Sequence, residues 1–215
     1  LQTRRVFQLL DKLKACLISG PYKPGKCGIS DYIKLLSHKL EVLGNSVALI
    51  NFVQDRCFSN KVDALPKADF YSVQFAPYSF STSGLSGRSL INLGESLANK
   101  LAHINFHEIW IGAYPDAPWI ERYKGWRQKR EILRFLEIVN PRFITCSNAA
   151  SMDRIAQAGI QAKYLYLFVN VPYAPSVDVS VSSNLRIALF GTPYQKFPYN
   201  LLAEKLTEIS ASLNK

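Results

Sequence analysis

The sequence contains no apolar run long enough to cross a bilayer. Stretches such as Tyr164 to Val169 and Leu185 to Phe190 are far shorter than the roughly 20 residues that a transmembrane helix requires. No long apolar region follows Arg4 and Arg5, as it would in a secretory signal, and the chain opens on Leu1 rather than on Met. We therefore expect no membrane span, and we expect a cytoplasmic protein that lies at most against the inner face of the plasma membrane.

Paired cysteines are also missing. Cys16, Cys27, Cys57 and Cys146 are widely separated and show no CxxC spacing. Free thiols in a reducing compartment are the simplest account of this pattern. The sequence therefore predicts no disulfide framework.

The chain has a shortage of acidic residues relative to basic ones. It carries 26 Lys and Arg against 16 Asp and Glu, a formal net charge of +10, within an ordinary globular composition of 48% hydrophobic residues. Such an excess suits nucleic acid, an anionic membrane surface or a phosphate-bearing substrate. Because no helix-turn-helix, RNP or zinc pattern accompanies the charge, we do not expect nucleic acid to be the partner.

Strand-like and helix-like segments alternate along the first four fifths of the chain. Apolar runs bounded by turn residues predict strands, and apolar positions at three- and four-residue steps predict helices. The predicted strands are Leu13–Ile18, Val47–Val53, Phe70–Phe75, Ala102–Ile109, Phe143–Cys146 and Tyr164–Phe168, and the predicted helices are Ile29–Leu43, Leu90–Leu101, Ile120–Val139 and Ala149–Ala158. Repeated βα units indicate an α/β fold, a Rossmann-like parallel sheet with helices on both faces.

A change of composition follows this pattern. Residues 172–184 carry prolines and several serines without clear periodicity, which is typical of an interdomain linker. One further strand, Leu185–Phe190, and one helix, Leu201–Leu213, come after it. The predicted organisation is a first domain over 1–171, a linker, and the incomplete start of a second domain over 185–215.

Three loops that follow strands are candidate ligand sites, because ligands of open α/β sheets bind beyond the carboxyl ends of the strands. The first is GPYKPGKCGISDY, where Gly25 and Gly28 allow close backbone approach ahead of a helix start, with Asp31 just inside it. Phosphate or a sugar hydroxyl are the expected ligands. The spacing matches neither the dinucleotide fingerprint nor a P-loop, so an ordinary turn stays an equal alternative.

The second loop follows the FHEIW segment. His107 and Glu108 stand at the end of an otherwise apolar strand, where a histidine can bond a hydroxyl or move a proton near neutral pH. A solvated strand end is the alternative. His38 and His103 share no ligand spacing with His107, so we expect no metal site.

The third loop, GTPYQKF, places Gly191 at the end of a strand and Lys196 within reach of a phosphate. An ordinary βα turn is the alternative here.

A basic segment with interleaved aromatic residues precedes the fifth predicted strand. A helix over this segment would place a basic face beside an aromatic one. The candidate surface residues are Arg122, Lys124, Trp126, Arg127, Lys129 and Arg130. A solvated face is the usual explanation, and a docking surface for an anionic bilayer or a lipid-linked acceptor is the sharper one.

Taken together, KCGISDYIKLLSHKLEVLGNSVALI, FHEIW, KREILRFLEIVNPRFITCSN, LFVNVP and LRIALFGTPY resemble bacterial glycosyltransferases of the GT-B fold, close to glycosyltransferase family 4. The resemblance implies the amino-terminal, acceptor-side half of a two-domain enzyme. It implies that Gly25, Gly28 and Asp31 lie against a sugar diphosphate, and that His107 is the catalytic residue facing the transferred sugar, with Glu108 beside it.

The function implied by the resemblance is transfer of a hexose-like sugar from a nucleotide-sugar donor to an acceptor hydroxyl, in polysaccharide or glycolipid assembly, with no obligatory metal or cofactor. The partners implied are the nucleotide sugar, a sugar or lipid-linked acceptor, and an anionic membrane surface. GTPYQKFP replaces the family's usual basic residue and Lys-Gly pair, and no E-x7-E motif is reached. The chain alone is therefore expected to be inactive. The alternatives are a non-catalytic sugar- or nucleotide-binding α/β module and a basic peripheral membrane protein.

Overall fold

The computed structural model describes residues 12–52, 65–167 and 198–213. The chain divides into two units, Leu1–Val171 and Pro172–Lys215, each treated by itself. Cys57, the predicted linker and the predicted strand Leu185–Phe190 lie outside the described residues, so the domain assignment stays a prediction.

The first unit alternates strands and helices. Its strands are β1 (Lys14–Ser19), β2 (Ser46–Asn51), β3 (Phe70–Phe75), β4 (Ala102–Phe106), β5 (Phe143–Cys146) and β6 (Lys163–Tyr164). Its helices are α1 (Gly28–Val42), α2 (Pro77–Phe80), α3 (Gly87–Leu97), α4 (Trp119–Val139) and α5 (Ala149–Ala156). In the second unit, α6 (Tyr199–Leu213) is described, with an exposed ion pair of 2.8 Å between Lys205 and Glu208.

All six strands form one parallel sheet in the order β2-β1-β3-β4-β5-β6. The chain is therefore an α/β protein with a Rossmann-like sheet, as the repeated βα pattern predicts. Successive strands are added on one side of β1 and then on the other, so the strand order reverses between β1 and β3. That reversal point is where ligands of open α/β sheets bind.

One face of the sheet carries the main apolar core. Ile18, Val73 and Phe106 point to this face, and the buried sides of α3 and α4 cover it through residues such as Leu93 and Phe135. A smaller cluster joins Leu17 on the other face to Tyr32 and Ile33 of α1. Helices thus pack on both faces.

Several predicted boundaries change, and the strand expected over Tyr164–Phe168 is found only as Lys163–Tyr164. Two of the changes have tertiary reasons. The strand expected to reach Ile109 ends at Phe106, and the segment beyond it turns toward α4, where the Ile111 amide donates to the buried Gln128 side chain at 2.9 Å. The helix expected from Leu90 begins at Gly87 instead. Its first amides, those of Ser86 and Gly87, donate to the Glu131 carboxylate of α4 at 2.9 and 3.1 Å. A cap supplied by a different helix leaves no local signal in the sequence.

None of the helices within the described ranges is long and apolar enough to cross a membrane.

Candidate functional site

A cavity of about 590 Å³ opens at the carboxyl edge of the sheet. The start of α1, the short helix α2 and the segments after β4, β5 and β6 form its walls. Its lining consists of Cys27, Gly28, Ile29, Tyr32, Tyr78, Ser79, His107, Glu108, Ser147 and Leu167. Gly28, His107 and Glu108, which the sequence singles out from two separate loops, therefore meet in one place.

A closed ring of hydrogen bonds lies on the sheet face directly below His107. We call it the polar ring, and its members come from β3, β4 and β5: Ser72, Gln74, His103, Asn105 and Thr145. The strand register brings them side by side, because Ser72 pairs with His103 and Gln74 with Asn105, which in turn pairs with Thr145.

Each side chain of the polar ring donates one hydrogen bond to the next, in a single direction around it. The Gln74 amide nitrogen donates to the Ser72 hydroxyl at 2.8 Å, and that hydroxyl donates to Nδ1 of His103 at 2.9 Å. His103 Nε2 donates to Thr145 at 2.8 Å, and Thr145 donates to the Asn105 carbonyl at 2.8 Å. The Asn105 amide closes the ring on Gln74 Oε1 at 2.9 Å. This order requires a neutral His103. If the imidazole carried a proton on Nδ1 as well as on Nε2, the Nδ1 proton would face the hydroxyl proton that Ser72 donates.

The polar ring fixes the tautomer of His107. Gln74 Oε1 accepts from Asn105 and also lies 2.9 Å from Nε2 of His107, so Nε2 carries the proton. The Asn105 amide nitrogen, 3.2 Å away, is also a donor and does not compete for that proton. Nδ1 of His107 makes no hydrogen bond to any described residue and is left as an acceptor.

Burial keeps both histidines uncharged. Desolvation lowers the pKa of His107 to about 4 and the pKa of His103 to about 4. The ring of the buried Tyr32 meets His107 edge-on, with centroids 5.2 Å apart, and desolvation raises the pKa of that phenol. Near neutral pH, His107 is therefore a neutral hydrogen-bond acceptor and not a proton donor of the imidazolium kind.

The Gly-rich loop folds back onto the first turn of α1. Lys23 to Lys26 form a turn with a 3.1 Å backbone bond, and Gly25 adopts a φ of +78°, which favours glycine. The Asp31 carboxylate accepts a hydrogen bond from the Gly25 amide at 2.6 Å. Gly25 and Asp31 thus hold each other and do not line the cavity, whereas Gly28 does. For Gly25, the ordinary-turn alternative describes the local geometry better than close approach of a ligand.

The basic residues of α4 fall into two groups. Lys124 and Lys129 lie over the rings of Tyr78 and Trp110, at 5.0 and 5.4 Å from the centroids. Arg122 donates to the carbonyl of Pro115. The other residues of the predicted surface, Trp126, Arg127 and Arg130, are exposed on the outer side of the helix.

Gly191 and Lys196 lie outside the described residues, so their predicted roles stay predictions. Within the described ranges, no three His, Cys, Asp or Glu side chains gather as a metal site.

Sequence reasoning missed the polar ring and Ser147, whose hydroxyl lies 3.3 Å from the His107 carbonyl. A signal for the ring was present in FYSVQF and AHINF. Their polar residues alternate with apolar ones, although both faces of a parallel strand are normally apolar.

Comparisons with known proteins identify no family for this chain. No protein-family model matches the chain. No curated protein matches it either. A matching solved structure is that of a "putative NADH-flavin reductase" from Streptococcus pneumoniae, with 17% identity and a TM-score of 0.39 over 62% of this chain and 70% of that one. At that level the likeness assigns no activity to this chain.

This finding contradicts the family expected from the sequence, because the matching solved structure is named as a reductase and not as a GT-B glycosyltransferase. We therefore correct the predictions of GT-B membership, of glycosyl or hexosyl transfer, and of a role in polysaccharide biosynthesis. The expectation that the chain alone is inactive, which rests on that family, falls with them. The Rossmann-like α/β fold stands.

Proposed function

We propose that the first unit binds a small ligand that carries both hydroxyl groups and a phosphate, as a nucleotide does, in the cavity at the carboxyl edge of the sheet. The observation that carries this proposal is the oriented, neutral His107. Its Nε2 proton is held by Gln74, and its Nδ1 lone pair is available to a ligand hydroxyl or amide.

The polar ring beneath His107 has a high desolvation cost for a feature with a purely structural role. Gln74 and Asn105 are almost fully buried, and an apolar pair at these positions would fill the same sheet face without the desolvation of two amides. A satisfied polar network that orients one strand-end side chain is what a binding site requires, because a ligand group gains most from a partner already in place.

The part of the cavity lining that α1 provides suits an anion. Cys27 and Gly28 lie at the start of α1, whose 15 residues give the helix end a partial positive charge. Lys23 and Lys26 are exposed on the loop that leads into this helix. Glu108, an exposed residue of the cavity lining, favours ligand hydroxyl groups beside it and disfavours a second phosphate.

Calorimetric titration with ADP, UDP and GDP, and with adenosine and inorganic phosphate as partial ligands, tests the proposal. We expect a nucleoside diphosphate to bind more tightly than either partial ligand. His107→Ala should weaken it by roughly 2- to 13-fold, the loss of one neutral hydrogen bond worth about 0.5–1.5 kcal/mol.

His38→Ala is the matched control, because His38 is exposed on α1 and does not line the cavity. The affinity should not change between pH 6 and pH 8 through His107, because its pKa is lowered to about 4. Absence of binding by every probe, or equal affinities of the wild type and His107→Ala, would sink the proposal.

We also propose a reducing, cytoplasmic location. The support is that Cys16, Cys27 and Cys146 are free thiols, the first and last of them buried. Retention of these thiols as thiols in protein isolated under alkylating conditions would agree with this location, and their recovery as disulfides would contradict it.

A further inference from the structure

The outward face of α4 carries a continuous stripe of aromatic and arginine side chains. We call it the aromatic–arginine ridge, formed by Trp119, Tyr123, Trp126, Arg130 and Arg134. These residues follow one another at four- and three-residue steps, so they lie along one side of the helix. Trp119, Tyr123 and Trp126 are 75%, 55% and 52% exposed.

The ridge differs from what the sequence pattern predicts. Instead of a basic face beside an aromatic one, α4 has an aromatic amino-terminal half and an arginine-rich carboxy-terminal half on the same face. The lysines expected on this surface, Lys124 and Lys129, are half-buried against Tyr78 and Trp110. The opposite face, with Gln128, is buried and sets this orientation.

Contacts within the ridge hold its side chains in place. The Tyr123 and Trp126 rings stack with centroids 6.0 Å apart, and the Arg130 guanidinium lies 4.8 Å from the Trp126 centroid. Ile120, also exposed, extends the apolar half beside Trp119. A large, ordered apolar area is therefore kept in water, next to a cluster of arginines.

An open groove of about 1030 Å³ runs beside the carboxy-terminal half of the ridge, between α3 and α4. Arg127, Arg130 and Arg134 line it. One acid of its lining, Glu131, accepts hydrogen bonds from the amides of Ser86 and Gly87. Glu137 is the other acid in the groove, so the groove stays net positive.

We propose that the aromatic–arginine ridge docks this protein on anionic lipid bilayers. Trp and Tyr side chains favour the boundary between headgroups and acyl chains, and arginines on the same face bind lipid phosphates. The helix lies in the plane of the surface, with its aromatic half inserted and the arginine groove on the headgroups. The charge complementarity and the exposed Ile120 both favour this partner.

Single-stranded nucleic acid is the competing partner for arginines beside aromatic rings. It requires ring faces on which bases stack. Trp126 already has Arg130 over its ring and Tyr123 stacked near it, and Ile120 offers a base no stacking surface. The ridge therefore suits a bilayer better than a nucleic acid.

Vesicle co-sedimentation of the full chain is the first test, with phosphatidylcholine alone and with added phosphatidylserine. We expect pelleting that depends on the anionic lipid. Replacing Arg127, Arg130 and Arg134 together by Gln should lower the partition coefficient by about 100-fold, since each cation near the surface contributes about fivefold. Replacing Trp119 and Trp126 by Ser should also lower it, while the dependence on phosphatidylserine remains.

The matched control replaces Lys34, Lys39 and Lys67 by Gln, which removes the same charge from exposed positions outside the ridge. Thermal melting of each variant shows that it remains folded. Quenching of tryptophan emission by brominated lipid adds a direct measure of insertion, and it should vanish in the tryptophan variant apart from the buried Trp110.

The proposal fails if neutral and anionic vesicles pellet the chain equally, or if neither does. It also fails if the lysine control loses as much binding as the arginine variant, or if single-stranded RNA is bound through the ridge while vesicles are not.

Discussion

Thr145 joins the two halves of the polar ring, and replacing it by valine removes its hydroxyl while keeping its shape. In the native chain this hydroxyl accepts from His103 Nε2 at 2.8 Å and donates to the Asn105 carbonyl at 2.8 Å. Thr145→Val therefore leaves one donor and one acceptor without partners and adds no cavity.

The expected cost follows from the burial of the two orphaned groups. Asn105 is fully buried, so water does not reach its carbonyl, and an unsatisfied buried group costs about 1–3 kcal/mol. His103 is only half-buried, and loss of its bond costs about 0.5–1.5 kcal/mol because partial hydration replaces it. The free energy of unfolding should fall by roughly 2–4 kcal/mol for Thr145→Val.

Thr145→Ser is the matched control, because it keeps the hydroxyl and loses only one methyl group, worth about 1 kcal/mol or less. Urea unfolding of both variants at pH 7 measures the difference, from the shift in midpoint at constant slope. If Thr145→Val is as stable as Thr145→Ser, the polar ring does not exist as described and the argument for an oriented His107 is wrong.

Two further predictions concern titration and thiol chemistry. Burial lowers the pKa of both His103 and His107 to about 4, whereas in the unfolded chain both titrate near their usual value of about 6.5, so the unfolded state takes up more protons in between. The free energy of unfolding should therefore be unaffected above about pH 6.5 and fall as the pH falls toward 4, by up to roughly 3 kcal/mol per histidine. Urea midpoints measured from pH 7 to pH 4 check this. An equal dependence of the midpoint on pH in a variant lacking both histidines would contradict it. Burial also raises the pKa of Cys16 and of Cys146 to about 11. Iodoacetamide at pH 8 should therefore alkylate the half-buried Cys27 well before either of them in the native protein, as read by mass spectrometry, whereas equal labelling would show that the sheet does not shield these thiols.

Local patterns were enough to predict most of the secondary structure and the class of fold. The helix over α1 follows from apolar positions such as Ile29, Ile33 and Leu36 at helical steps, and β3 was predicted with the same bounds that the structure has. The parallel sheet follows from the alternation of such segments, because parallel strands need a crossover between them. The rule that ligands bind beyond the strand ends predicts a site at Gly28 and His107, and both residues line the same cavity.

The family and the activity could not be predicted in the same way. Short segments that resemble one family carried the assignment to GT-B enzymes, and the comparison with solved structures contradicts it. A fold shared by many activities does not determine which reaction a chain performs, because function depends on the side chains at the site.

Only the tertiary structure decided how the site is built and what α4 exposes. The sequence by itself determined the strands, the amphipathic helices and the loops at the carboxyl edge, because these depend on residues close together in the chain. The polar ring depends on the register of three strands that places Gln74, Asn105 and Thr145 side by side, and no local pattern specifies that register. The rotation of α4 likewise depends on the burial of Gln128 against distant loops, which turns Trp126 and Arg130 outward together. Contacts between residues far apart in sequence set both features, and they form only when the chain has folded.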